Sequence, residues 1–95
     1  MISVKIIFDF KGSIFGQKEN LAIETKEGIT VFEALQNISL EIPKLYDLLF
    51  KNTALRNDIL VLVDRTDVKL MQLFDMPLSD GQIITILPLA HGGGL

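Results

Sequence analysis

The sequence predicts an α+β domain in which a mixed sheet of about five strands packs on one main helix. Three observations carry that expectation. Alternating apolar residues open the chain at Ile2, Val4, Ile6 and Phe8, a capped amphipathic pattern runs from Thr30 to Ile38, and two further strand patterns close the chain at Ile59 to Val63 and Gln82 to Leu87. Ninety-five residues make a single domain, residues 1–88, followed by a flexible glycine-rich C-terminal tail, residues 89–95. A chain of this length buries only about 60 to 65% of its extended surface, enough for one core and too little for a deep interdomain cleft.

Ile2, Val4, Ile6 and Phe8 alternate with Ser3, Lys5, Ile7 and Asp9, the period of a strand with one buried face. Phe10 to Gln17, with Gly12 and Gly16, reads as the loop of a hairpin, and Leu21 and Ile23 alternate with Asn20, Ala22 and Glu24 in the returning strand. Lys26-Glu27-Gly28 closes it as a turn. Thr30 followed by Glu33 is a capping box, in which each side chain satisfies the other's unpaired backbone donor. Val31, Ala34, Leu35 and Ile38 then fall on one face of a helix of roughly two turns. Pro43 lacks an amide hydrogen and suits only a first helical turn, so a second short helix is expected from about Pro43 to Phe50, with Leu45, Leu48 and Leu49 inward.

Ile59-Leu60-Val61-Leu62-Val63 is apolar on both faces, as in a strand covered on one side and partly contacted on the other. Asp64-Arg65-Thr66-Asp67 is expected to turn the chain into a brief strand, Val68-Lys69-Leu70. Asp80-Gly81 makes a further turn, and Gln82 to Leu87 a last strand that Pro88 ends by removing the next ladder donor. A hairpin, a right-handed helical crossover and a second group of strands around one apolar helix make a β-grasp, or ubiquitin-like, roll.

Composition narrows the function. Apolar residues are 48% of the chain and charged residues 22%, values of a folded globular protein. The absence of cysteine excludes disulfides, thiolate metal sites and cysteine nucleophiles. A net charge of −3 with dispersed Lys and Arg argues against nucleic acid as a partner. No apolar run is long enough to span a membrane, and Met1-Ile2-Ser3-Val4-Lys5 lacks the pattern of a signal peptide, so the expected compartment is the cytoplasm. Asp58, Asp64 and Asp67 lack the spacing of a calcium loop and read as a solvated loop, so no metal is expected. Phe10, Ile14 and Phe15, in the expected loop, are either a partner-binding patch or core filling from a folded-back loop. Nothing in the chain forms a nucleotide loop or a catalytic triad.

The chain ends His91-Gly92-Gly93-Gly94-Leu95. Glycine loses more backbone entropy on ordering than any other residue, so three in a row after the last strand suit a tail that is threaded or reacted. The segment Pro77-Leu78-Ser79-Asp80-Gly81-Gln82, the apolar strand, Pro88, Leu89, Ala90, His91 and the glycines resembles the end of the MoaD family, the small subunits of molybdopterin synthase. Asp58 to Asp64 resembles that family's apolar third strand, and Thr30 to Ile38 sits where the family has its first helix. The related ThiS carriers are usually shorter and lack the second helical stretch, so the likeness is closer to MoaD. Two departures stand out. Asp64-Arg65 occupies a turn where the family usually has Asn-Gly, and the chain ends on Leu95 where the family ends on glycine. Leu95 is either an extension that a processing protease removes or a remnant of a tag junction.

The resemblance implies a sulfur carrier with no active site of its own and no bound cofactor. A MoeB-like or ubiquitin-activating-like partner would consume ATP to adenylate the terminal glycine, Gly94 or Gly93, and a sulfur donor would convert it to a thiocarboxylate. A MoaE-like large subunit would receive that sulfur for molybdenum or tungsten cofactor synthesis. Pro88, Leu89, Ala90, His91 and Gly92 would form the partner-binding tail. Six residues from Leu89 to Gly94 reach roughly 20 Å when extended. Their ordering costs on the order of 1 to 2 kcal/mol each, so the globular face must supply much of the docking energy. His91, the chain's one histidine, reads either as an acid–base group or, better, as a solvated spacer or partner contact. Two other classes stay open: a ubiquitin-like modifier joined to target lysines, and a non-covalent interaction module.

Overall fold

Ser3–Phe10 form the first strand, β1, because every second side chain from Val4 to Phe10 enters the core; Val4, Ile6, Phe8 and Phe10 are all buried. The structure, a computed structural model, describes residues 2–12, 15 and 20–89. Two expectations for this segment change. Ile2 is 64% exposed, because it precedes the strand at the border of the sheet, where its carbonyl accepts only from Glu27 N at 3.3 Å. Phe10 belongs to the strand and its ring lies 5.2 Å from that of Phe15. Both are buried, so for Phe10 and Phe15 the core-filling alternative holds; Ile14 lies outside the described residues.

β2 (Leu21–Lys26) pairs antiparallel with β1, and the expected turn follows it at Gly28, whose φ of +88° suits a residue without Cβ. The capping box at Thr30 and Glu33 is present and starts α1 (Val31–Glu41). Its buried face is Val31, Ala34, Leu35 and Ile38, as the spacing predicts. The helix has 11 residues rather than the expected two turns. It extends through Ser39, whose buried hydroxyl donates to the Leu35 carbonyl at 2.9 Å and so enters the core satisfied.

The second helical stretch is shorter and split. Pro43–Leu45 form a 3₁₀ turn and Tyr46–Leu49 a single α-turn, α2, while Phe50 is extended. The Phe50 ring stacks on Tyr46 at 5.1 Å and meets the edge of Phe32 at 5.8 Å. Leu45 and Leu49 are buried and Leu48 is half-buried, as expected. Phe50–Lys51 (β3) and Ala54–Leu55 (β4) then make a small hairpin that sequence reasoning did not foresee.

β5 (Ile59–Val63) turns at Asp64 and Arg65, with φ of +48° and +83°, into β6 (Thr66–Asp67). The strand expected at Val68–Leu70 is instead a turn. Asp67 Oδ1 accepts from Lys69 N and Leu70 N, both at 3.0 Å, and this local competitor draws the backbone out of the sheet. β7 (Ile83–Pro88) follows the Asp80-Gly81 turn. That turn is tied to β1 because Asp80 Oδ1 accepts from Lys5 N and Gly81 N donates to Lys5 O, each at 2.7 Å. Pro88 is the strand's last residue, paired with Ile59, and does not end it one residue earlier as expected.

The main sheet has five strands in the order β2-β1-β7-β5-β6, with β1 and β7 parallel and the other pairs antiparallel. α1 covers one face, where Ile6, Phe8, Leu35, Ile38, Val61, Ile84 and Ile86 form the centre of the core. This is the expected β-grasp arrangement, with the strand that carries the tail in the middle of the sheet.

Candidate functional site

Of the predicted site residues, Pro88 and Leu89 are described; Ala90, His91, Gly92, Gly93 and Gly94, with Leu95, lie outside the described residues. The site that can be built is therefore the root of the tail and the surface around it. Leu89 N donates to the Asp58 carbonyl at 2.9 Å, which carries the sheet's hydrogen bonding one residue past Pro88. Leu89 itself is 41% exposed.

The ledge that receives Leu89 is held by charged side chains. Arg56 Nε and Nη2 donate to the two Asp58 carboxylate oxygens at 2.9 and 2.8 Å, the bidentate geometry that a planar guanidinium favours. Arg56 Nη1 also reaches the Asp47 carbonyl at 3.3 Å. These hydrogen bonds to Asp58, followed by its charge, raise the Arg56 guanidinium above its ordinary value, so it stays protonated. Lys69 Nζ donates to the Arg56 and Ile59 carbonyls, both at 3.1 Å, and so bridges the chain on either side of Asp58. The three acids read as a solvated loop each have a structural task. Asp58 binds Arg56, Asp67 forms the turn described above, and Asp64 accepts from Ile83 N at 3.1 Å and Gln82 Nε2 at 3.0 Å, fixing the start of β7. Among the described residues there is no cluster of metal-ligating side chains, and no helix is long and apolar enough to cross a membrane.

The sheet face opposite α1 carries a second set of apolar residues. Strand alternation puts Ile7 and Asp9 of β1, Leu60 and Leu62 of β5, and Ile83, Thr85 and Leu87 of β7 on that face, apolar except for Asp9 and Thr85, which lie opposite each other. The register makes them neighbours: Ile7 lies opposite Ile83, Leu62 opposite Thr85, and Leu60 opposite Leu87. Ile83 is 37% exposed and the others are half-buried, forming one patch that ends where Pro88 and Leu89 lead out. Sequence reasoning did not single out these residues. The signal was the apolar run Ile59 to Val63, which requires two covered faces when one helix can cover only one.

Comparison with known proteins places this geometry. None of the curated proteins matches the chain significantly. Solved structures with the same fold include small archaeal modifier protein 1 from Haloferax volcanii, with a TM-score of 0.81 at 16% identity over 94% of this chain and 99% of that one. The Methanosarcina acetivorans protein of that name gives 0.79 at 17% identity, covering 98% of this chain and 100% of that one. A Pyrococcus furiosus protein described as molybdopterin converting factor subunit 1 gives 0.70 at 19% identity, covering 92% and 99%. The matched family spans residues 12–93, from just after β1 through α1 and the other four strands of the sheet into the glycines, and the chain belongs to that family, the ThiS family of ubiquitin-like proteins.

Proposed function

We propose that the chain is a sulfur carrier of the MoaD kind, whose terminal glycine becomes a thiocarboxylate used in molybdenum or tungsten cofactor synthesis. The observation that carries this reading is the coupling of an apolar docking patch to the root of a glycine tail through one central strand, β7. A carrier must bind an activating enzyme by its globular face and hand over its end, and both tasks meet at Pro88 and Leu89. Five residues, Ala90 to Gly94, follow Leu89 in the sequence and would reach roughly 17 Å if extended. Glycine at Gly92, Gly93 and Gly94 offers no side chain to a narrow channel.

In this reading the Gly94 carboxylate attacks the α-phosphorus of ATP on a MoeB-like partner, and pyrophosphate leaves. A sulfur donor then displaces AMP from the acyl-adenylate, and the thiocarboxylate passes its sulfur to a substrate held by a MoaE-like subunit. The chain supplies reach and position, and the partner supplies ATP binding and the acid–base groups. A processing protease first removes Leu95, whose side chain would occupy the channel.

Two measurements test the reading. The intact mass of untagged protein from its native host should show loss of Leu95 and exchange of a terminal oxygen for sulfur. In vitro, the form ending at Gly94 should be adenylated at least about tenfold faster than the form ending at Leu95; equal rates would remove the need for processing. The likeness to the small archaeal modifier proteins supports a second reading, an isopeptide bond from the same activated glycine to a target lysine. Lysine adducts that persist under thiol treatment would favour it. Binding that survives deletion of Gly92 to Leu95 would favour a non-covalent module.

A further inference from the structure

The outer edge of β5 loses its strand partner level with the root of the tail. Asp58 O accepts from Leu89 N and Asp64 N donates to Ile83 O, so the even-numbered residues of β5 and its flanks turn their backbone groups toward β7. The odd-numbered ones face β6, where Val63 pairs with Thr66 and Val61 O accepts from Val68 N at 3.1 Å. The same register would set Leu70 opposite Ile59. Leu70 N instead donates to Asp67 Oδ1, and the turn so formed takes the strand away from the Ile59 carbonyl.

Lys69 Nζ fills that place. It donates to Ile59 O and to Arg56 O, both at 3.1 Å, so one ammonium closes the edge that β6 vacates and ties β5 to the segment before it. Arg56 N in turn donates to Leu49 O at 2.9 Å, and the Arg56 guanidinium joins the Asp58 carboxylate to the Asp47 carbonyl. Residues 56–59 are thus held both from α2 and from the loop after β6.

We infer that Lys69 is a positioning residue for the tail: as a side-chain substitute for a strand, it holds Asp58 and Ile59 in register with β7, so that the chain leaves the sheet from one fixed point. Pro88 pairs with Ile59 and Leu89 N with Asp58 O, so a swing of this segment moves the origin of the tail with it. A loose origin spreads the reacting end over a larger volume, and the end loses orientation toward its target while the globular face still docks. The loss therefore falls on kcat and spares KM, because Lys69 lies outside the apolar patch. The expected effect on kcat rests on the carrier reading, and the hold on the tail root does not.

The test compares Lys69→Met, which keeps the side-chain stem and removes the donors, with Lys69→Arg, which keeps a cation able to donate to both carbonyls. Lys69 is half-buried, and Lys69→Gln, shorter and uncharged, serves if Lys69→Met does not fold. In full-length ¹⁵N-labelled protein, Lys69→Met should speed amide exchange at Leu89 roughly fivefold or more while the central amides of Ile6 and Phe8 keep their rates. In the form ending at Gly94, assayed by ATP–pyrophosphate exchange with a MoeB-like enzyme from the same host, kcat should fall roughly five- to tenfold with KM within about twofold of the parent, and Lys69→Arg should restore kcat. Unchanged exchange at Leu89, equal acceleration at Ile6 and Phe8, unchanged kcat, or the same loss in Lys69→Arg would each overturn the proposal. A rise in KM alone would also overturn it, making Lys69 a direct contact of the partner. A parent that is not adenylated would fail the carrier reading instead, and exchange at Leu89 would then decide the role of Lys69 by itself.

Discussion

Thr30 is extended, with φ −88° and ψ 167°, and its Oγ1 accepts from Glu33 N at 3.2 Å while Glu33 Oε1 accepts from Thr30 N at 3.0 Å. The bond from the Thr30 amide is the main reason the Glu33 carboxyl lies below its ordinary value; partial burial opposes it and Lys26 assists it. A carboxylate depressed in the folded state contributes its stability above the unfolded pKa and loses it as pH falls through the folded one. The stability of the chain should therefore decline on the acid side just below the usual glutamate range. Glu33→Gln keeps an acceptor for the Thr30 amide and should flatten that part of the profile, read from thermal melts at stepped pH. Identical acid limbs in both proteins would contradict this. Thr30→Ala removes the cap and should cost about 1 kcal/mol, lowering Tm by roughly 4 to 8 °C.

Among the elements, the hairpin turns hold unrelieved backbone strain. Thr53 at φ +67° is a β-branched residue in the left-handed region, and Arg65 at φ +83° is a long side chain in the same region. Thr53→Gly should stabilise the fold by about 1 kcal/mol and Arg65→Gly by about half that, after glycine's added unfolded-state entropy is subtracted. Denaturant midpoints should move upward with unchanged slopes; a downward shift would mean that the side chains hold contacts worth more than the strain. The turn at Asp64 and Arg65 was expected from the sequence, whereas the one at Asn52 and Thr53 was not. β1, β2 and α1 were legible because each repeats its period, and β5 and β7 because each is an apolar run bounded by turn residues. The β3–β4 hairpin has two residues a side, too few to show a period, and is held by Phe50 against Phe32 and Tyr46. The pattern at Val68 to Leu70 looked like a strand, but the Asp67 side chain offered the Lys69 and Leu70 amides a nearer acceptor.

For the whole molecule, the sheet face carrying Ile7, Leu60, Leu62 and Leu87 is the surface on which the proposed activation depends. Leu60→Glu and Leu87→Glu change half-buried residues on the face away from the core, so the circular-dichroism spectrum should be kept while kcat/KM for adenylation falls about tenfold or more. The form ending at Gly94 is the substrate for that assay. Unchanged kinetics would show that the partner docks elsewhere. The glycines at 92–94 can be singled out in the sequence by residue type alone. The patch cannot be, because β1, β5 and β7 are far apart in the chain and only their register brings Ile7, Leu60 and Leu87 together. The parallel pairing of β1 with β7 has one more consequence. A pull on the C-terminus against the N-terminus slides the two strands along each other and loads the bonds from Ile7–Ile83 to Phe10–Ile86 together, while β5 grips β7 on its other side. A machine that drags the protein by its tail must rupture these bonds at once instead of unzipping them in turn, so any cargo fixed to that tail is tethered to a mechanically resistant body.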